Sequence, residues 1–236
     1  PASPVRVGVS TDGVLIANLY LPLSYTFERG GERMAIEEQT EYPFRYTVTF
    51  KVCGTGSFPF ALRIPAYAKR YKVTRSNSES GYTVKDNVLF FETDVTGGEM
   101  ITVEFFPEVN LLKAVDGTYA LSFGTLLFSK DIPAVCKKYR KYEGAKGFFD
   151  CDFVPKIHED WNDTLLVRGG VPEDAKIEYP EGKGYPLDEG NYPVISVKAL
   201  DRYAYPVNLK LKPIGATTLR RTTFPVFEDS ENIYKI

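Results

Sequence analysis

Tyr46-Thr47-Val48-Thr49-Phe50-Lys51-Val52 alternates strictly between apolar and polar residues, and this alternation decides the fold class. Successive side chains of a β-strand point to opposite faces of its sheet, so a period of two is typical of a half-buried strand. The same alternation returns at residues 100–105 and 207–212. Residues 14–21 and 88–91 are more continuously apolar, which indicates strands that are buried on both faces.

Helical periodicity is scarce along the chain. An apolar stripe at helical spacing is always interrupted by glycine, proline or β-branched residues. Residues 135–142 fit a short helix or an exposed edge strand equally well, and both interpretations stay open. Many short strands separated by turn residues are typical of β-sandwiches. The sequence therefore predicts an all-β protein with two antiparallel β-sandwich domains of jelly-roll or immunoglobulin-like type.

The length of 236 residues lies between one large domain and two ordinary ones. A strand that ends near residue 106 is followed by a new segment with its own turn glycine. We therefore expect a first β-sandwich over residues 1–110 and a second over residues 111–236. Residues 169–191 are rich in Gly, Pro, Asp and Glu, which predicts a long surface loop within the second sandwich.

Composition excludes several classes of function. The net charge is −2, with 29 basic against 31 acidic residues, so nucleic acid is not an expected partner. The sequence has no apolar run of the roughly 20 residues that would span a bilayer, so no membrane partner is expected. One histidine and three cysteines make a zinc site or a histidine-based triad improbable, and no cofactor is predicted.

The acidic run at residues 37–41 invites comparison with the carboxylate pair of a glycosidase. On a strand, Glu37 and Glu38 would point to opposite faces, whereas Glu37 and Glu41 would share one face. Nothing near these residues in the sequence is of a kind that raises a carboxyl pKa. We therefore expect a solvated strand edge here, and no catalytic residue is predicted.

The densest group of chemically active residues is His158-Glu159-Asp160-Trp161-Asn162-Asp163. Trp161 could offer a flat apolar face to a sugar, with its polar neighbours accepting hydroxyl hydrogens. The carboxylates could instead hold an ion, although the turn glycine of a calcium loop is missing. The third interpretation makes Trp161 a core anchor at the start of the strand at residues 164–167. Trp161 is the candidate carbohydrate-binding residue.

The three cysteines, Cys53, Cys136 and Cys151, form no paired motif. Acidic neighbours should raise the thiol pKa of Cys151, whereas Cys136 lies beside two lysines and is the better candidate for a reactive thiol. Inert thiols are the expected outcome, and a single disulfide bridge stays open. Residues 137–146 mix basic residues with tyrosines, which favours a solvated edge strand, or else a sugar-binding or domain-packing surface, over a nucleic-acid platform.

Six segments carry a resemblance to a known family. They are Asp12 to Tyr20 (similar to "DGxxxNLY", with one extra residue), Gln39 to Phe44 ("xTxYPW", with Phe44 for Trp), Phe60 to Ala68 ("LALRIPxWA", with Tyr67 for Trp), Gly124 to Phe128 ("GPLVY"), Trp161 to Leu165 ("WNxxL") and Ile214 to Pro225 ("YGxxxLRxxxFP"). Together, and in this order, they resemble the β-L-arabinofuranosidase-like glycosidases of glycoside hydrolase family 127. The aromatic exchanges, and Arg75-Ser76-Asn77 in place of the family's "VNG" turn, indicate a divergent member.

This resemblance implies an (α/α)₆-barrel catalytic domain before Pro1, followed by two β-sandwiches that would be this chain. The family's catalytic and zinc-binding residues belong to that barrel, so none is transferred to Cys53, Cys136 or Cys151. Because the sequence starts at Pro1 and not at methionine, we expect a processed chain or a piece of a longer one. The expected function is that of a non-catalytic C-terminal region of a bacterial glycoside hydrolase, which packs against the barrel of its parent chain and stabilises it.

Two alternatives belong to other classes of function. The first is a carbohydrate-binding module for plant polysaccharide, suggested by Trp161 and the abundance of tyrosine. The second is a structural or adhesion sandwich that self-associates through an exposed strand edge, so a homo-oligomer is a further candidate assembly. The compartment is not predicted, and a periplasmic or secreted parent is among the options.

Overall fold

The computed structural model describes residues 8–11, 13–77, 81–144, 147–156, 160–180, 188 and 190–228, with the backbone alone at 8–11. Its described part is built of β-strands and one short 3₁₀ turn, Ile214–Ala216, which confirms the all-β prediction. No helix among these residues has the length and apolar character needed to cross a bilayer. The chain divides into two compact units, Pro1–Glu108 and Val109–Ile236.

The described residues of the first unit form twelve strands. They are β1 (Gly8–Thr11), β2 (Val14–Ala17), β3 (Leu23–Arg29), β4 (Glu32–Thr40), β5 (Thr47–Cys53), β6 (Ser57–Phe58), β7 (Phe60–Arg63), β8 (Tyr71–Arg75), β9 (Tyr82–Lys85), β10 (Val88–Phe91), β11 (Val95–Thr96) and β12 (Met100–Phe105). One five-stranded sheet has the order β1-β2-β7-β10-β9, and a second has the order β3-β4-β5-β12-β8. All neighbours are antiparallel except β2 and β7, which are parallel.

The two sheets of the first unit face each other across an aromatic core. Phe50 on β5 and Phe60 on β7 belong to different sheets, and their ring centroids lie 5.4 Å apart. Both side chains are fully buried, as are Ile101 and Val103 on β12. The alternating residues of β5 and β12 thus place one apolar face inward, as their period of two predicts.

Twelve strands also occur in the described part of the second unit. They are β13 (Val109–Lys113), β14 (Tyr119–Phe123), β15 (Leu126–Asp131), β16 (Ala134–Lys141), β17 (Phe149–Pro155), β18 (Thr164–Arg168), β19 (Val171–Pro172), β20 (Lys176–Glu178), β21 (Val194–Leu200), β22 (Pro206–Pro213), β23 (Arg220–Arg221) and β24 (Val226–Glu228). The main sheet runs β13-β14-β15-β22-β21-β18-β19, with β20, β23 and β24 attached to its sides. Its end strands β13 and β19 contact each other, so the sheet curls around its core. That core includes the fully buried side chains of Leu121, Phe128, Leu165, Leu211 and Phe224.

The ambiguous residues 135–142 fall largely on a strand, because β16 pairs with β17 in a separate two-stranded hairpin. The predicted loop at 169–191 contains the short strands β19 and β20, and its residues 181–187 and 189 lie outside the described part. Along the chain, the boundary between the two compact units lies between Glu108 and Val109. That each unit is an independently folding domain stays a prediction.

Candidate functional site

Trp161 lies in the segment that leads into β18, and its side chain lines a groove of about 420 Å³. The residue is 36% exposed, so the indole is not a core anchor. The opposite parts of the groove are formed by Leu219 and the polar residues that follow it, Arg220, Arg221, Thr222 and Thr223. The groove therefore brings together two segments that resemble the family motifs "WNxxL" and "YGxxxLRxxxFP".

Backbone carbonyl groups fix the two arginines of this groove. Arg220 donates to the carbonyl of Thr217 at 2.9 Å, and Arg221 donates through Nε to the carbonyl of Thr223 at 2.8 Å. A second donor of Arg221, Nη1, lies 3.4 Å from Oδ1 of Asn162. Because carbonyl and amide oxygens are neutral acceptors, they hold the guanidinium groups in place without cancelling their charge.

The two described carboxylates beside Trp161 form ion pairs with basic residues other than the two arginines of the groove. Asp163 is buried and accepts a bond from Nζ of Lys130 at 2.7 Å, while Asp160 lies 3.5 Å from Arg202. The pKa of Asp160 is lowered by the backbone N–H of Asn162 and by the Arg202 charge, against a smaller effect of burial. No group of three or more metal-ligating side chains occurs within the described ranges. His158 and Glu159 of the same cluster lie outside the described residues.

The groove combines types of side chain that a sugar-binding surface would require. Pyranose and furanose rings present apolar C–H faces that pack on an indole, and their hydroxyl groups need donors and acceptors near the ring edge. The groove supplies one exposed indole together with guanidinium and hydroxyl groups. The two described carboxylates beside Trp161, those of Asp160 and Asp163, are engaged in ion pairs with Arg202 and Lys130.

Glu38 is a residue whose environment the sequence interpretation missed. It is 1% exposed on the inner face of β4, in register with Leu23 on one side and Phe50 on the other. Burial raises its pKa from 4.5 to about 7, and the single hydrogen bond from Leu21 N to Oε1, 3.0 Å long, opposes this rise. Glu37 is half-exposed and Glu41 is exposed, in line with the solvated face expected for these two residues, but the expectation that nothing nearby raises a carboxyl pKa is wrong for Glu38.

The alternation of residues along β4 already indicates that Glu38 is buried. Met34, Ile36 and Glu38 occupy alternate positions of β4, and all three are buried. The second carboxylate oxygen, Oε2, is buried and has no hydrogen-bond partner among the described residues, and the same is true of the Tyr25 hydroxyl. Because Glu38 is enclosed, no substrate can reach its carboxyl group, and we assign it no catalytic role.

Three of the family-like segments meet in the core of the first unit. Tyr20, Tyr42 and Tyr67 come from three different segments, and each of them contacts another member of one aromatic cluster. The Tyr20 and Tyr42 rings lie 5.7 Å apart, as do the rings of Tyr46 and Tyr67. The Tyr20 hydroxyl also donates to the carbonyl of Arg63. These three tyrosines of the family-like segments therefore serve packing and not a surface site.

The hairpin of β16 and β17 carries the basic and aromatic residues of the 137–146 stretch. Tyr139 is 67% exposed and Phe148 is 71% exposed, and they line a groove of about 580 Å³. Lys138 places its ammonium group 3.7 Å from the centroid of the Phe149 ring. The hairpin thus has an exposed apolar surface bordered by positive charge.

The sequence has a family match in its first unit. Residues 14–106 match the family described as "Beta-L-arabinofuranosidase, GH127 middle domain". The resemblance inferred from the sequence motifs is thereby confirmed, and this region of the chain is related to glycoside hydrolase family 127. No curated protein matches the sequence.

Solved structures extend the likeness of the fold to nearly the whole chain. A GH127 β-L-arabinofuranosidase from Geobacillus stearothermophilus T6 has a TM-score of 0.63 at 21% identity, over 94% of this chain and 35% of its own. A GH127 β-arabinofuranosidase gives 0.63 at 16% identity, over 94% and 36%, and a glycoside hydrolase gives 0.60 at 16%, over 90% and 36%. At such identities the likeness concerns the fold alone. The chain spans about a third of the length of these structures.

Proposed function

We propose that this chain is the non-catalytic β-sandwich region of a glycoside hydrolase related to the β-L-arabinofuranosidases, and that it packs against a helical barrel domain and stabilises it. The observation that carries the proposal is the match of residues 14–106 to the GH127 middle domain. This chain matches about a third of the length of each similar structure. Such a share fits a region that accompanies a larger catalytic part.

The location of the family-like residues supports an architectural role. Tyr20, Tyr42 and Tyr67 lie in the aromatic cluster of the first unit, where they hold the two sheets together. The acidic residue with the most perturbed carboxyl pKa, Glu38, is enclosed in the same core. The chemical groups of this unit are therefore used for packing, which is what an accessory domain requires.

The exposed hairpin of β16 and β17 is the surface that we assign to the barrel contact. It presents Tyr139 and Phe148, and also the exposed side chains of Val135, Phe153 and Val154. Val135 and Val154 share one face of the hairpin and Phe153 lies on the other, so both faces present the kind of exposed apolar side chain that occurs at interaction sites. Aromatic residues and arginine are enriched in protein interfaces, and the hairpin carries Tyr139, Phe148 and Arg140.

The proposal is tested by extending the chain into the coding sequence upstream of Pro1. The extended protein should hydrolyse an aryl β-L-arabinofuranoside, and the 236-residue chain alone should not. In the extended protein, Tyr139→Ser combined with Phe148→Ser should lower the melting temperature of the barrel. The matched control is Tyr203→Ser combined with Tyr205→Ser, which removes equally exposed aromatic residues from a turn elsewhere. Turnover by the isolated chain, or an upstream sequence without a helical domain, would refute the proposal.

A carbohydrate-binding module is the second candidate function, and the Trp161 groove is the observation that favours it. The groove combines an exposed indole with Arg220, Arg221, Thr222 and Thr223. We expect it to bind short arabinan-type oligosaccharides from plant cell walls with the weak affinity of a small, open site.

Calorimetric titration with arabino-oligosaccharides tests this candidate. Binding heat should be present for the wild type, abolished by Trp161→Ala and kept by Tyr203→Ala, which alters an exposed aromatic residue outside the groove. Absence of heat with every plant glycan would remove the candidate without affecting the first proposal.

A further inference from the structure

Cys136 and Cys151 lie on the two strands of the exposed hairpin. Cys136 is in register with Phe153, and Lys138 is in register with Cys151. Residues two apart in a strand share a face, so both cysteines lie on the same face of the hairpin as diagonal neighbours. The contact of Lys138 with the ring of Phe149, two residues before Cys151, lies on that face as well.

The distance between such positions is close to what a disulfide needs. Diagonal neighbours in an antiparallel pair have Cα atoms about 7–8 Å apart and Cβ atoms closer than that. A disulfide spans about 4.4–6.8 Å between Cα atoms. The neighbouring Cys136 thiol is the largest of the causes that raise the pKa of the Cys151 thiol, as expected for two thiols that lie near each other on one face.

To form the bridge, the two strands must bring the Cα atoms of Cys136 and Cys151 slightly closer together. The structure of the hairpin favours this movement. It forms a two-stranded sheet of its own, and two-stranded ribbons twist more freely than the strands of a larger sheet. Its register shifts between Lys138 and Arg140, next to the cysteines, and such a bulge increases the local twist. Both thiols are half-exposed, so a small oxidant can reach them.

We propose that Cys136 and Cys151 are a redox pair that closes to an intrachain disulfide when the chain meets a disulfide oxidant such as oxidised glutathione. One cysteine, as thiolate, attacks a sulfur of glutathione disulfide and releases one glutathione thiolate. The second cysteine, after losing its proton to solvent, attacks the protein sulfur of the mixed disulfide and releases the second glutathione thiolate. Two protein thiols are oxidised to one disulfide, and one glutathione disulfide is reduced to two glutathione thiols.

The bridge would join the two strands on either side of the hairpin turn. It therefore restricts the aromatic surface formed by Tyr139 and Phe148 without touching the core of the second unit. The hairpin is also the surface that the proposed function assigns to the barrel contact, so the inference concerns the 236-residue chain with this surface exposed, and its test does not depend on the proposed function.

The test is a thiol count and a peptide map on the 236-residue chain after equilibration with oxidised glutathione. The number of thiols in the denatured protein should fall from three to one, and dithiothreitol should restore it. After trypsin, the peptide of residues 131–137 should be linked to that of residues 147–156, while residues 52–63, which contain Cys53, should stay free.

Three serine variants make the result decisive. Cys53→Ser should form the same link and keep no free thiol, whereas Cys136→Ser and Cys151→Ser should form no intrachain link. Hydrogen exchange in β16 and β17 should slow on oxidation in the wild type and stay unchanged in the last two variants. Glutathione adducts on both cysteines, a link to Cys53, or crosslinked dimers in place of the intrachain bridge would overturn the proposal.

Discussion

Arg75 and Glu99 form a bidentate ion pair inside the first unit. Nε of Arg75 lies 2.5 Å from Oε1 of Glu99, and Nη2 lies 2.9 Å from Oε2. Their side chains are 4% and 1% exposed, so the pair is almost completely removed from water. Burial raises the pKa of Glu99, but the bonds from Arg75 and from the Thr96 backbone N–H outweigh burial and leave the pKa lowered.

The first prediction concerns the loss of this pair. Glu99→Gln leaves the buried guanidinium without its counter-charge, and we expect the free energy of unfolding to fall by about 3–5 kcal/mol. Chemical denaturation followed by circular dichroism measures this change. The matched control is Glu41→Gln, which breaks the exposed pair with Arg45 at 3.9 Å and should cost less than about 1 kcal/mol. Equal effects of the two substitutions would contradict the structure.

The second prediction separates Trp161 from the core of the second unit. Phe224 is fully buried and bridges Tyr119 through two backbone hydrogen bonds of 2.8 Å. Phe224→Ala should therefore cost about 3–5 kcal/mol of stability. Trp161→Ala removes a side chain that is partly in water already and should cost less than about 2 kcal/mol. Thermal unfolding measures both losses of stability. A larger loss for Trp161→Ala than for Phe224→Ala would show that Trp161 belongs to the core.

The sequence carried enough information for the fold class. The alternation at 46–52 and 100–105 became β5 and β12, which are neighbours in one sheet with Phe50 directly opposite Ile101. Residues 135–142 were ambiguous because their intrinsic preferences for helix and strand are similar. Their partner β17 decides the outcome, and a partner strand is a tertiary fact that local sequence does not contain.

The environment of single residues was harder to predict. Glu38 is in phase with Met34 and Ile36, but its charge favoured the solvated interpretation. Whether an in-phase acidic residue is buried depends on what packs over it, and here Leu23 and Phe50 flank it from neighbouring strands. Trp161 shows the reverse, because a lone tryptophan is more often buried than exposed. The groove around Trp161 forms because residues 219–223, which are distant in sequence, lie next to it in the fold.

The third prediction concerns the two compact units. Each has its own buried apolar core, so residues 1–108 and residues 109–236 should each fold when expressed alone. Cooperative thermal unfolding and dispersed amide spectra would confirm this expectation. A control fragment that ends at residue 98 lacks β12, which lies between β5 and β8, and should not fold. If neither unit shows a cooperative transition alone, the division into two domains is wrong.

The last prediction follows from the carboxyl group of Glu38. Its pKa is about 7 in the folded chain and 4.5 ordinarily, so the unfolded chain releases this proton at lower pH than the folded chain. Between these values the unfolded state binds fewer protons, and the free energy of unfolding must fall as the pH rises. The stabilisation is complete below about pH 4.5 and is lost above about pH 7, with a size on the order of 3 kcal/mol.

Glu38→Gln removes the titrating group while keeping an acceptor for the Leu21 N–H bond. The variant should come closest to the wild type at pH 5 and clearly exceed its stability at pH 8, because the wild type must then hold a charge among Leu23, Phe50 and the Tyr25 ring. The control Glu28→Gln changes an exposed residue of β3 and should leave the dependence on pH as it is in the wild type. Denaturant midpoints at several pH values between 5 and 8 measure the effect. A wild-type stability that rises with pH over this interval would show that the folded state stabilises the charged form of Glu38, in conflict with its burial.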